Sequence, residues 1–284
     1  MTKIYGHRGA KGTYPENTLL SFAKAIEQGV EGLELDVHMT KDGEIVVIHD
    51  ESLERTTDGK GSIQDMTLEE IKQFSAGPKS KFAHFPNYDE ELWTAERVPT
   101  LMEVFELLKP YPTELNIELK TTIEKYEGIE EKVLSIVKAY GNQRKVIYSS
   151  FHLPTILRVK KLSPEAKIAW LLNEKITLPN DQLQTLELDA LHIAKSIVLP
   201  NKNIALKLMY LISTLNVSEA NEIKQLIDFI ESTNAVDAFH NLYEQIRVWT
   251  VNEPEEIKQL LDLGVDTIIT DYPERALSIR NEQQ

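Results

Sequence analysis

Short β-type runs recur along the chain at 3–7, 32–39, 44–49, 114–119, 145–150, 167–172, 190–193, 247–251 and 266–270. Most are separated by longer stretches with apolar residues at helical spacing, an order that indicates parallel βα units. Between the first two runs, Leu19, Phe22, Ala23 and Ile26 mark one helix face and Gly29 can close it. Near the end, Pro254 can open a helix whose Ile257, Leu260 and Leu261 face inward and which Gly264 stops. Eight or nine strands in 284 residues predict an α/β fold, a TIM-type (β/α)8 barrel. No early Gly-x-Gly-x-x-Gly loop supports an open doubly wound sheet.

One junction departs from a regular barrel. Only Thr40-Lys41-Asp42-Gly43 joins the second and third runs, and Asp-Gly is a strong hairpin signal, so one strand should be antiparallel. Taking Asp42 and Gly43 as the two turn residues puts Asp36 opposite His49 and Glu34 opposite Glu51. Residues from about 51 to 98 lack strand rhythm and read as an insertion over one face of a single domain spanning 1–284. In a second irregular region, 173–245, only 217–230 reads as a helix.

Composition narrows the function. The 31 Lys and Arg against 45 Asp and Glu give a net charge of −14, which opposes nucleic acid and anionic lipid as partners. With no Cys, disulfides, thiolate zinc sites and a cysteine nucleophile are excluded. The N-terminal segment lacks an apolar signal core, and no run approaches the roughly 20 apolar residues of a membrane span. A cytoplasmic protein with a small-molecule partner and no stable membrane insertion is expected; self-association is left open.

The chemistry lies at strand ends, where barrel enzymes gather catalytic groups. His7-Arg8-Gly9 pairs a proton-transfer group with a phosphate-binding fork. Glu34 and Asp36 share one strand face, and two inward carboxylates call for a hard divalent cation. Glu118 and Lys120 repeat that spacing, one able to complete the cation site and the other to meet substrate oxygen. His49-Asp50 ends the hairpin strand. Trp249 can wall an organic substituent, whereas Asn252 reads as a helix cap and Asp271 has no derivable role. Pro15-Glu16-Asn17-Thr18 reads as capping by Asn17 or Thr18. His38, His84, His152 and His240 read as structural, with His192 the exception because it ends a strand.

Taken in order, His7-Arg8-Gly9, Pro15-Glu16-Asn17-Thr18, Glu34-x-Asp36, Thr40-x-Asp42-Gly43, His49-Asp50, Glu118-x-Lys120, Trp249-Thr250-Val251-Asn252 and Thr270-Asp271-x-Pro273 resemble the glycerophosphodiester phosphodiesterase family. Arg55-Thr56-Thr57 and Val98-Pro99-Thr100-Leu101 match the family's insertion, while 173–245 matches poorly. The resemblance implies a phospholipase-C-like barrel that hydrolyses glycerophosphodiesters to sn-glycerol 3-phosphate and an alcohol such as choline or ethanolamine. It further implies that Glu34, Asp36 and Glu118 hold one Ca²⁺ or Mg²⁺, that His7 and His49 are acid and base, and that Arg8 and Lys120 bind phosphate. Three alternatives stand beside it. A lysophospholipase D on the same barrel would need an apolar channel, which Phe82, Phe85, Tyr88 and Trp93 could supply. A sugar-phosphate isomerase is disfavoured by three clustered carboxylates, and a non-catalytic phosphoester-binding protein would have lost one of the expected groups.

Overall fold

A computed structural model of the chain describes residues 1–199 and 245–283; the predicted helix at 217–230 and His240 lie outside them. Among the described residues, eight parallel strands close a barrel. In chain order they are β1 (Lys3–His7), β2 (Gly32–Met39), β4 (Glu114–Leu119), β5 (Val146–Ser150), β6 (Lys167–Leu172), β7 (Ala190–Ala194), β8 (Ile246–Trp249) and β9 (Thr267–Thr270). Each pairs with the next, and β1 pairs with both β2 and β9, which completes the ring. The ninth strand, β3 (Ile45–Val47), runs antiparallel to the far end of β2.

The alternation seen in the sequence has a direct cause. Leu33, Leu35 and Val37 of β2 and Leu115, Ile117 and Leu119 of β4 belong to the main core against the outer helices. Period two therefore turns Glu34, Asp36, Asn116 and Glu118 into the barrel. Among those helices, α1 (Leu19–Gln28) is capped by Thr18, whose hydroxyl accepts from the Ser21 N–H, and ends at Gly29 with φ 93°. Pro254–Leu263 forms a helix with Pro at its first turn and Gly264 at φ 71° beyond its end.

The predicted hairpin register is corrected by one residue. Val37 pairs with Val47 and His38 with Val46, and the Ile48 N–H donates to the Asp36 carbonyl at 3.1 Å. Asp36 thus faces Ile48, not His49, and Glu34 does not face Glu51. The loop is three residues, Lys41-Asp42-Gly43, with Gly43 at φ 81°. Its backbone closes by Thr40 N–H to Glu44 O at 2.9 Å. A turn followed by a left-handed glycine supplies the extra residue. The Thr40 hydroxyl donates to Asp42 at 2.6 Å and accepts from the Glu44 N–H at 2.9 Å, which favours this loop over the two-residue one.

The segment after β3 builds its own small core from Val46, Ile48, Leu53, Ile63, Ile71, Ala76 and Val98. Trp93, 1 % exposed, sits among Tyr14, Phe82, Phe85 and Tyr88 at ring-centroid distances of 5.2–6.0 Å. Those aromatics pack on one another and do not line the barrel mouth. Among the described residues, no helix is long and apolar enough to cross a membrane.

Candidate active site

Strand register brings the acidic groups together. In β1, β2 and β4, His7 is paired with Glu34, and Asp36 with Glu118. Glu34, Asp36 and Glu118 are all buried, and each offers a carboxylate oxygen within 4.8 Å of the others. They lie at the C-terminal end of the barrel, beside a cavity of about 160 Å³ lined by His7, Arg8, Glu34, His49, Glu118, Lys120 and Trp249, among others. A larger cavity of about 1090 Å³ lies at the opposite end. Several charged groups there are paired, as in Lys3–Glu114 at 2.9 Å and Arg247–Asp266 at 3.0 Å.

Electrostatics at the mouth are those of a site short of positive charge. Burial, then the charge of Asp36, pushes the Glu34 carboxyl well up. Burial raises Glu118 as well, against the pull of Lys120. For Asp36 burial acts upward too, but Arg8, Lys120 and His49, with a bond from Asn17, outweigh it and hold the carboxyl well below the usual range. Asp36 Oδ1 is nevertheless buried with no hydrogen-bond donor among the described residues; Lys120 Nζ stands 3.7 Å away. Three buried carboxylates with an unfilled acceptor suit a hard cation.

His7 and His49 are each oriented by an aspartate. His7 Nδ1–H donates to Asp271 at 2.6 Å, leaving Nε2 3.8 Å from Glu34. Burial and the neighbouring Arg8 lower the His7 pKa, so it favours the neutral imidazole. His49 Nδ1–H donates to Asp50 at 2.6 Å, and Nε2 faces the Lys120 ammonium at 3.2 Å. His49 arrives without the predicted pairing to Asp36. The antiparallel β3 returns the chain toward the mouth, and His38 Nε2–H holds the His49 carbonyl at 3.0 Å. His38 is itself fixed by Tyr126 at 2.8 Å, the structural role expected of it.

Several neighbours were not legible as site residues. Asn17 does not cap α1; its amide donates to Asp36 at 2.9 Å. Asn252 does not cap the following helix, whose cap is Glu253; it donates to Asp271 at 2.8 Å and accepts the Asp271 N–H at 3.0 Å. Glu16 receives Arg8 at 2.8 Å and Arg55 at 2.7 Å, and its carboxyl, which burial would raise, is lowered to about 2 by those cations. Arg8 also lies 3.1 Å from Asp36, so it reaches the mouth already engaged on two carboxylates. Lys120 bonds Glu118 at 2.9 Å. Trp249 uses its indole N–H on the His192 carbonyl at 3.0 Å and sets its ring edge-to-face on Phe151. His192 lies inside the barrel with its side chain near Asn116, within a strand and not at its end. His152 bonds Thr155 at 2.9 Å, and His84 packs on Phe85.

The fold is a (β/α)8 barrel whose mouth gathers three buried carboxylates and two imidazoles. Residues 7–275 match the model of the glycerophosphoryl diester phosphodiesterase family. The chain is 38 % identical over 285 residues, covering 100 % of both chains, to a glycerophosphodiester phosphodiesterase of Bacillus altitudinis. It is 36 % identical to one from Caldanaerobacter subterraneus, covering 98 % of this chain and 97 % of the other. Its fold is similar, at a TM-score of 0.73 and 27 % identity, to an Oleispira antarctica phosphodiesterase solved with the product sn-glycerol-3-phosphate, covering 99 % and 97 % of the two chains. This chain belongs to the glycerophosphoryl diester phosphodiesterase family.

Proposed function

We propose that the chain, acting as one cytoplasmic barrel domain with an insertion at about 51–98, hydrolyses glycerophosphodiesters of small alcohols to sn-glycerol 3-phosphate and the alcohol. Glycerophosphocholine and glycerophosphoethanolamine are the substrates in view. The observation that carries this reading is the convergence of three buried carboxylates and two aspartate-oriented imidazoles on one small cavity. Glu34, Asp36 and Glu118 would hold one divalent cation, Ca²⁺ or Mg²⁺, whose charge offsets that of the phosphate's non-bridging oxygens.

The chain's own residues then account for the proton transfers. Lys120 and Arg8 hold phosphate oxygens, and Trp249 with Phe151 forms an apolar wall for the carbon skeleton. One imidazole Nε2 takes the proton of the glycerol 2-hydroxyl as that oxygen attacks phosphorus. The P–O bond to the alcohol breaks, and the other imidazole, protonated, gives its proton to the leaving oxygen. Water opens the resulting cyclic phosphate with the two roles reversed. Each such transfer is worth about 10²–10⁴ in rate.

Small head groups fit better than acyl chains, because Phe82, Phe85, Tyr88 and Trp93 are packed together and do not form a channel at the mouth. A net charge of −14 also penalises zwitterionic diesters least. Rates on glycerophosphocholine and on lysophosphatidylcholine test this directly. Faster cleavage of the lysolipid would contradict the substrate assignment, and cleavage of neither, with either metal, would contradict hydrolysis.

A further inference from the structure

We infer that Arg55, outside the barrel on the 51–98 excursion, is a positioning residue that fixes the orientation of His49; the inference rests on the role proposed for that histidine. The two imidazoles are braced differently. Asp271, partner of His7, is locked by Asn252 through two hydrogen bonds. Asp50, partner of His49, follows it directly in a loop, with its side chain 28 % exposed. Its other contacts come from Arg55: Nε to Oδ2 at 2.7 Å and Nη2 to Oδ1 at 2.9 Å.

Arg55 is itself anchored. Its Nη1 and Nη2 donate to the two oxygens of Glu16 at 2.9 and 2.7 Å, and Glu16 is held from the barrel side by Arg8. One planar guanidinium therefore forks onto two carboxylates, which a lysine ammonium cannot reproduce. With 46 % of its side chain exposed, Arg55 could instead be a surface ion pair, which ordinarily contributes little. The two readings differ in what removal does. A surface pair leaves turnover unchanged, whereas a lost brace frees Asp50 and lets His49 turn while substrate still binds.

The test measures kcat and KM on glycerophosphocholine for the wild type, Arg55→Lys and Arg55→Ala, each checked for a cooperative thermal transition. The inference predicts that both variants lose about 10- to 100-fold in kcat, by analogy with the loss when a partner that orients a metal-bound histidine is removed. KM should change by less than about twofold. Guanidinium ion, well below denaturing concentrations, should restore part of the Arg55→Ala rate where sodium chloride at equal strength does not. An Arg55→Lys kcat within about twofold of wild type would overturn the inference, as would equal rescue by both salts. A wild type that releases no glycerol 3-phosphate would defeat the hydrolase reading itself, so the two failures are distinguishable.

Discussion

His7 Nδ1 lies 2.6 Å from Oδ1 of Asp271 across 264 positions of sequence, because barrel closure sets β9 beside β1. The carboxylate fixes the tautomer that leaves Nε2 free to exchange a proton, and it can stabilise the imidazolium. Asp271→Asn should therefore lower kcat on glycerophosphocholine by about 10²- to 10⁴-fold with KM little changed. Steady-state kinetics on a variant with an unchanged thermal midpoint checks this. A loss smaller than about tenfold would mean that the bond is structural.

Glu34 and Glu118 are held above the usual carboxylate range by burial and by their acidic neighbours, so ionising them in the folded chain opposes stability. At pH 8, Glu34→Gln should raise the thermal midpoint of chelator-stripped protein. Added Ca²⁺ or Mg²⁺ should stabilise the wild type by mass action, about 2.7 kcal/mol at a hundred times Kd, and should do so far less in Glu34→Gln. Thermal unfolding with and without metal reads both effects. An equal response in the two proteins would remove Glu34 from the cation site.

His192 is fully buried, and desolvation, with Arg247 nearby, holds its pKa well below the ordinary 6.5. Folded His192 stays neutral where the unfolded chain takes up a proton. Its contribution is therefore present above pH 6.5 and is lost as pH falls from there toward the depressed folded value. His192→Gln should flatten the decline in urea-unfolding free energy by up to about 1.4 kcal/mol per pH unit in that window, with chelator present throughout. Parallel curves for the two proteins would refute the assignment.

Much of this was legible in the sequence because a barrel strand has only two faces. Leu33-Glu34-Leu35-Asp36-Val37 announces which side is core and which is mouth, and Pro254 with Gly264 brackets its helix. What could not be read locally depended on contacts set by closure or by loop shape. Asp271 acquires its partner only when the last strand meets the first, although a predicted closed barrel already places those two strand ends side by side. Asn17 and Asn252 look like helix caps until the barrel sets them beside Asp36 and Asp271, and Glu16 meets Arg55 only when the excursion folds back on the mouth. The hairpin register is ambiguous by one residue in the sequence because Asp42-Gly43 suits a two-residue turn as well as the end of a three-residue one.

The proposed reaction needs a cation on Glu34, Asp36 and Glu118 and proton transfer by His7 and His49. The most direct measurement follows sn-glycerol 3-phosphate released from glycerophosphocholine by chelator-stripped protein, before and after Ca²⁺ or Mg²⁺ is restored, beside His7→Ala and His49→Ala. No release is expected when stripped, with recovery on adding at least one of the two ions and near-complete loss in both folded variants under every condition. Undiminished release from stripped protein, or a fully active His49→Ala, would contradict it.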